Sequence, residues 1–217
     1  MNFKISKKDI FISLVIGILV TILFFLMLKI LKADQILSNK IVSIIKIKIP
    51  LFFFLIFLIP TLSLCLFVFS FLLGQIKPAF EQFGKFALVG MLNTFVDWGA
   101  LNLLLFATNF SFVTGFGYSL IKGISFIVAT INSYYWNKFW TFKATQKKKD
   151  PAEFLQFLAV SIVGFVINVL VATVVVNLVK RPVNISPTIW ATIGAMIATI
   201  FGMLWNFFGY KIFVFKK

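Results

Sequence analysis

Six apolar stretches, each long enough to cross a bilayer, leave this 217-residue chain little choice of fold. A spanning helix needs about 20 mostly apolar residues, because the hydrocarbon core is about 30 Å thick and a helix rises about 1.5 Å per residue. The runs fall at residues 10–31, 50–74, 86–107, 112–136, 154–179 and 187–209. Hydrophobic side chains make up 61% of the chain and charged ones only 12%, too few to hydrate the surface of a soluble domain. The sequence therefore predicts an all-α, polytopic membrane helix bundle. The basic start MNFKISKKD has the character of a signal peptide. The apolar run behind it is too long for one, however, and no small-x-small cleavage site follows, so it reads as a retained first span.

Composition also excludes several chemistries. Cys65 is the single cysteine and there is no histidine, so an intrachain disulfide, histidine catalysis and His/Cys metal sites are ruled out. No Walker A pattern and no Asp-x-Asp pattern occur among six acidic residues, so neither nucleotide hydrolysis nor glycosyl transfer is expected, and no cofactor or metal. The net charge of +15 comes from lysines in the short connections between spans rather than along one soluble face. Anionic membrane lipids, not nucleic acid, are the expected counter-charge.

Cytoplasmic connections carry the excess of Lys and Arg. The richest connection holds Lys138, Lys143, Lys147, Lys148 and Lys149, which places it inside. With six spans, Lys4, Lys7, Lys8, Lys77, Lys85, Lys211, Lys216 and Lys217 fall on that same side, so both termini are expected in the cytoplasm; Lys180 and Arg181 fall outside. The first connection, with Lys29, Lys32, Lys40, Lys46 and Lys48, runs against this rule, and its segment IVSIIKIKIP, 41–50, reads as an amphipathic interfacial piece.

The chain also repeats itself. FGKFALVGMLNTFVD, starting at Phe83, aligns with FLQFLAVSIVGFVIN, starting at Phe154, and SYYWNKFWTFK, starting at Ser133, aligns with NFFGYKIFVFK, starting at Asn206. Each repeat, 83–143 and 154–216, contains two spans, so the second is entered from the same side as the first and the repeats are parallel. The predicted domain organisation is a four-helix core, 81–217, preceded by two extra N-terminal spans, 1–80.

On these residues the chain resembles the GtrA-like family of membrane proteins from bacterial and archaeal cell-surface polysaccharide synthesis. The resemblance rests on KFALVGMLNTFVD, with Phe86, Gly90, Asn93 and Asp97, and on two closing motifs. The first is Asn137-Lys138-x-Trp140-x-Phe142; the second, Asn206-x-x-x-Tyr210-Lys211-x-Phe213-x-Phe215, has Tyr210 and Phe213 where the first has Asn137 and Trp140. It implies a multi-pass protein of a prokaryotic cytoplasmic membrane that helps move a polyprenyl-phosphate-linked sugar across the bilayer, or serves the membrane glycosyltransferases that make and use it.

Two groups of residues are candidate substrate contacts. Asp97 sits mid-span, where an ionised side chain costs about 2.5–3.5 kcal/mol even on the lenient insertion scale, so it needs a partner. At a rise of about 1.5 Å per residue, Asp97 lies roughly 18 Å beyond Lys85 and Lys122 roughly 22 Å from Asn137, similar depths. Asp97 and Lys122 are therefore expected to pair, either as a packing lock or as part of a polar path; their counterparts in the second repeat are Asn168 and Ala195. Asn93 precedes Asp97 by one turn, and Ser125, Ala129 and Ser133 continue the Lys122 face. The closing motifs form the second group. Asn132, Asn137 and Asn206 are poor helix formers that bind backbone or ligand, and Lys138 and Lys211 occupy equivalent places, so the motifs read either as a cradle for a lipid phosphate or as positive-inside anchors. Trp140 belongs with them as a headgroup contact, although an interfacial aromatic belt also accounts for it. Gly194, Ala198 and Gly202 make a small-xxx-small face for close helix contact, within the bundle or across a homodimer, which is the favoured assembly. The leading function is flipping of a polyprenyl-phosphate sugar. The alternatives are a small cation or drug exporter using Asp97, and a scaffold for a glycosyltransferase.

Overall fold

The computed structural model describes residues 5–31, 37–40, 50–109, 115–144, 151–182 and 186–215. Among these residues there is no strand. Six long helices account for most of the described residues: α1 Lys7–Ile30, α2 Leu51–Gly74, α3 Pro78–Ala107, α4 Gly115–Trp136, α5 Pro151–Leu178 and α6 Pro187–Gly209. Two short π-helices, π1 Asn137–Thr141 and π2 Tyr210–Val214, continue α4 and α6 directly. They fall on the same five positions of the two aligned closing motifs. The expected interfacial piece at 41–49 and the lysine run 147–149 lie outside the described residues.

Proline sets several of these starts. Pro50 precedes α2, and Pro78, Pro151 and Pro187 open α3, α5 and α6, where a missing N–H is no loss and a fixed φ suits the first turn. Ser186 caps α6 by accepting a hydrogen bond from the Ile189 N–H at 3.3 Å.

Among the described residues five stretches are long and apolar enough to cross a membrane: Lys7–Ile30, Leu51–Gly74, Pro78–Ala107, Ala152–Leu178 and Ile189–Val214. The protein is thus a multi-pass membrane protein. The fourth expected span, α4, is a helix of spanning length but is not among these five. Over 22 residues α4 carries Lys122, Asn132 and several Gly, Ser and Tyr residues, and this polar content keeps it out of the strictly apolar set.

The chain divides into two compact units, Met1–Thr141 and Phe142–Lys217. In the first, α3 packs against α1, α2 and α4, and α1 packs against α2. Its core gathers Ile16 and Val20 of α1, Phe67 and Phe71 of α2, Leu88, Val89 and Leu92 of α3, and Trp140 of π1. Lipid is as apolar as these side chains, so helix association here relies on close packing and interhelical hydrogen bonds rather than on the hydrophobic effect. Close packing is plain where α1 crosses α2: a Cβ at Gly17 would stand 2.4 Å from the Pro60 Cα, so only glycine allows the approach. Pro60 itself breaks the α2 ladder.

The polar tie of this unit is a buried cluster. Asp9, in the first turn of α1, places Oδ2 2.8 Å from Lys85 Nζ on α3 and accepts the Trp140 indole N–H on Oδ1 at 2.9 Å. Lys85 also pairs with Glu81 Oε1 at 2.6 Å, one helical turn earlier. Its ammonium lies 5.8 Å from the centre of the Phe67 ring and 5.9 Å from that of Trp140. Lys85 is 2% exposed and Asp9 5%, so the charges sit in a low-dielectric surrounding and hold only because they meet.

The second unit is a hairpin of α5 and α6 closed by π2. Gly194, Ala198 and Gly202 face α5: a Cβ at Gly194 would meet Val176 Cγ2 at 2.7 Å, one at Gly202 would meet the Gly164 carbonyl at 3.1 Å, and Ala198 is fully buried. The small face thus serves the hairpin. Where π2 turns back, the Tyr210 ring stacks on Phe157 at 4.1 Å between centroids, its hydroxyl bonds Ser161 at 2.7 Å, and Phe142 stacks on Phe215 at 5.3 Å.

Two outcomes test these contacts. Gly17→Leu is expected to lower the thermal unfolding temperature in detergent by several degrees, while Leu62→Ala on the exposed side of α2 leaves it nearly unchanged; a tolerated Gly17→Leu refutes the crossing. Asp9→Ala should cost about 3 kcal/mol in equilibrium unfolding, the low end for breaking a buried pair because Glu81 still neutralises Lys85.

Candidate functional site: a polar seam between α3 and α4

Most polar side chains on the membrane helices satisfy themselves locally. Ser70, Thr94, Asn102, Thr173, Asn177 and Thr199 each donate to a carbonyl three or four residues back, which hides the group from lipid but joins no helices. Against that background the α3–α4 seam stands apart. Lys122 Nζ pairs with Asp97 Oδ2, and Ser125 Oγ donates to Asp97 Oδ1 at 2.7 Å, so both carboxylate oxygens are engaged from α4. Two turns along α4, Asn132 Nδ2 approaches Asn93 Oδ1 at 3.5 Å, a weak contact. Ser125 and Ala129, between them on the same face, are buried at 0% and 2% exposure. The pair itself is accessible, with Lys122 39% and Asp97 20% exposed. The expected Asp97–Lys122 pairing is therefore met, with Ser125 as a third member.

The first closing motif caps this seam. Asn137 is fully buried; its Nδ2 donates to the Ser133 carbonyl at 2.9 Å, which fixes the amide, and its Oδ1 has no partner among the described residues. Thr141, one turn on, is 2% exposed and its hydroxyl is likewise unpaired among the described residues. Lys138 is 7% exposed, donates to the Tyr134 hydroxyl at 3.1 Å and lies 5.3 Å from the centre of the Tyr134 ring. This is not the posture of a lysine snorkelling to water. Trp140, 3% exposed, gives its N–H to Asp9.

The second closing motif is built from other contacts. Asn206 lies against Gly164, where a Cβ would meet its Oδ1 at 2.2 Å, and that oxygen has no partner among the described residues. Lys211 is half-buried, 5.7 Å from the centre of the Phe207 ring. Asn168, the counterpart of Asp97, faces Gly202: a Cβ there would stand 3.4 Å from the Asn168 Cβ. The charged seam thus belongs to the first unit.

A sequence profile for the family described as GtrA/DPMS, transmembrane domain, matches residues 85–215. The chain belongs to the GtrA/DPMS family. A relative from Bacillus subtilis (strain 168), described as uncharacterized membrane protein YngA, is 31% identical over 140 residues, covering 64% of this chain and 83% of that protein. No solved structure matches. The GtrA/DPMS match opens at Lys85, so the Asp9 that Lys85 binds lies outside it.

Sequence reasoning missed that contact. Asp9 reads as one acid among the N-terminal lysines, and Lys85 as one more inside lysine. The available signal was scarcity: six acidic residues serve a chain of charge +15, and Asp9, Glu81 and Asp97 all pair with lysines of the first unit.

Neutralising Asp97 and Lys122 singly and together forms a double-mutant cycle. Asp97→Asn and Lys122→Met are expected to show a coupling energy of about 1–2 kcal/mol in detergent unfolding; additive losses would remove the pair from the seam.

Proposed function

We propose that this GtrA/DPMS protein translocates the headgroup of a polyprenyl-phosphate-linked sugar across the cytoplasmic membrane of a prokaryote, in support of cell-surface polysaccharide synthesis or glycosylation. The observation that carries this reading is the accessible Asp97–Lys122 pair on membrane helices, backed by the buried Ser125 and continued by Asn93 and Asn132. Ionisable groups at such depth mark polar pathways, and a seam of charge, amide and hydroxyl offers a sugar the hydrogen bonds it loses on leaving water. In the first unit Lys138 attracts the lipid phosphate as a point charge, the Asn137 Oδ1 offers an acceptor to a sugar hydroxyl, and the isoprenoid tail stays in lipid; Asn206 and Lys211 are the corresponding candidates of the second unit.

In this reading α4 crosses with the other five helices. Asp9, Lys85 and Trp140 meet, which puts Lys7, Lys8, Lys77 and Lys138 near one end of the first unit, and the excess positive charge assigns that end, with both termini, to the cytoplasm. The two closing motifs are equivalent ends of the two repeats read from the sequence, an equivalence that their matched π-helices support. A membrane glycosyltransferase supplies or consumes the lipid, anionic lipids neutralise the basic loops, and a second copy of the chain completes the enclosure. A cation exporter fits less well, because the Asp97 carboxylate is already neutralised by Lys122.

Reconstitution in vesicles of fixed lipid composition, with a labelled polyprenyl-phosphate sugar on one leaflet, tests the proposal. The intact protein should speed equilibration between leaflets, and Asp97→Asn or Lys138→Gln should each slow it about tenfold, the loss of one charge-assisted contact. No acceleration by the intact protein would leave the glycosyltransferase scaffold as the better account.

A further inference from the structure

Nothing in the GtrA/DPMS match accounts for α1 and α2, yet α1 reaches the closing motif directly. We infer that Asp9 is a positioning residue for the first closing motif, so that the N-terminal hairpin is a working part of the headgroup site. For what the motif binds, this rests on the reading above.

A π-helix is less favourable than the α-helix it interrupts, and it persists only where side chains hold it. Side-chain hydrogen bonds and ring contacts hold π1. Asn137 Nδ2 binds Ser133, and Lys138 Nζ binds Tyr134; both lie within the α4–π1 segment and survive a slip of that segment as a whole. Trp140 is different. Its indole N–H runs to Asp9 Oδ1 across 131 residues of sequence, a side-chain anchor of π1 to α1.

The anchor is itself held. Asp9 Oδ2 is fixed by Lys85, Lys85 by Glu81, and the Trp140 ring stands over the same ammonium. The Asp9 carboxylate therefore sets where Trp140 sits, and Trp140 sets the register of the turn that presents Asn137 and Lys138. The second unit uses a different anchor: Tyr210 ties π2 to α5 through its Phe157 stack and Ser161 bond, and Phe213, whose side chain has no N–H, is exposed where Trp140 is buried.

The test separates positioning from bulk stability. The pair Asp9→Leu with Lys85→Met removes the buried charges together, and such replacements commonly restore stability; it also deprives Trp140 of its acceptor. Trp140→Phe removes the N–H while the Asp9–Lys85 pair stays. Asp9→Asn keeps an oxygen for Trp140 but loses the charge. Hydrogen exchange of the backbone amides of π1, compared with those of α2 in the same sample, is the readout.

Exchange in 137–141 should rise about tenfold in the double variant and in Trp140→Phe, with α2 unchanged, and much less in Asp9→Asn, even where that variant is the least stable. Vesicle binding of a short-chain prenyl phosphate should weaken in the same order. Exchange that follows global stability, or π1 exchange in Trp140→Phe equal to that of the unsubstituted protein, would overturn the inference. Changed π1 exchange without prenyl-phosphate binding by any form would uphold the positioning role while removing the assigned ligand.

Discussion

A buried ammonium with nowhere to go but a carboxylate organises the first unit. Lys85 stands on the central helix, α3, and in that surrounding an unpaired charge of either sign would cost several kcal/mol. Asp9 answers it from α1, Glu81 from one turn back, and the faces of Phe67 and Trp140 close the remaining sides. One charge thereby ties α1, α2, α3 and π1 together, and the Gly17–Pro60 crossing brings α1 and α2 close enough to share it. The hairpin outside the GtrA/DPMS match is in this way built into the domain it precedes.

The two closing motifs show how one pattern is stabilised by different physics. Both continue a membrane helix as a π-helix over five residues. The first is held by hydrogen bonds, with Trp140 on Asp9, Lys138 on Tyr134 and Asn137 on Ser133. The second is held by the Tyr210 stack on Phe157 and the Tyr210 hydroxyl paired with Ser161. The polar version sits at the end of the seam that carries Asp97 and Lys122, and the aromatic version beside a seam in which Asn168 and Gly202 only pack. This division places the candidate chemistry in the first unit and close helix packing in the second.

Much of this was legible beforehand. The apolar runs marked the helix ends to within three residues except at α3, which begins eight residues before its run, because a helix satisfies its own backbone in lipid. Asp97 and Lys122 were legible as partners because depth follows from counting residues along two helices. The fourth run was harder, since its polar residues, Lys122 and Asn132 among them, serve a neighbouring helix rather than lipid, and hydropathy does not distinguish those surroundings. Asp9 with Trp140 was out of reach for a different reason. A contact spanning 131 residues leaves no periodicity to read, and each partner has an ordinary local explanation, helix start for one and interfacial ring for the other.

By itself, then, the sequence determined that the chain enters a membrane as helices, which apolar runs form them, and that an acid and a lysine at equal depth would meet. Local rules suffice for these, because hydrogen bonding within a helix and the cost of charge in hydrocarbon act on each segment alone. Only the tertiary structure decided that Lys85 is a buried centre rather than a cytoplasmic charge, that Trp140 serves Asp9, and that the small face of α6 packs on α5. Those outcomes depend on which surfaces come within a few ångströms of each other, and short-range packing and hydrogen bonding acquire their values only there.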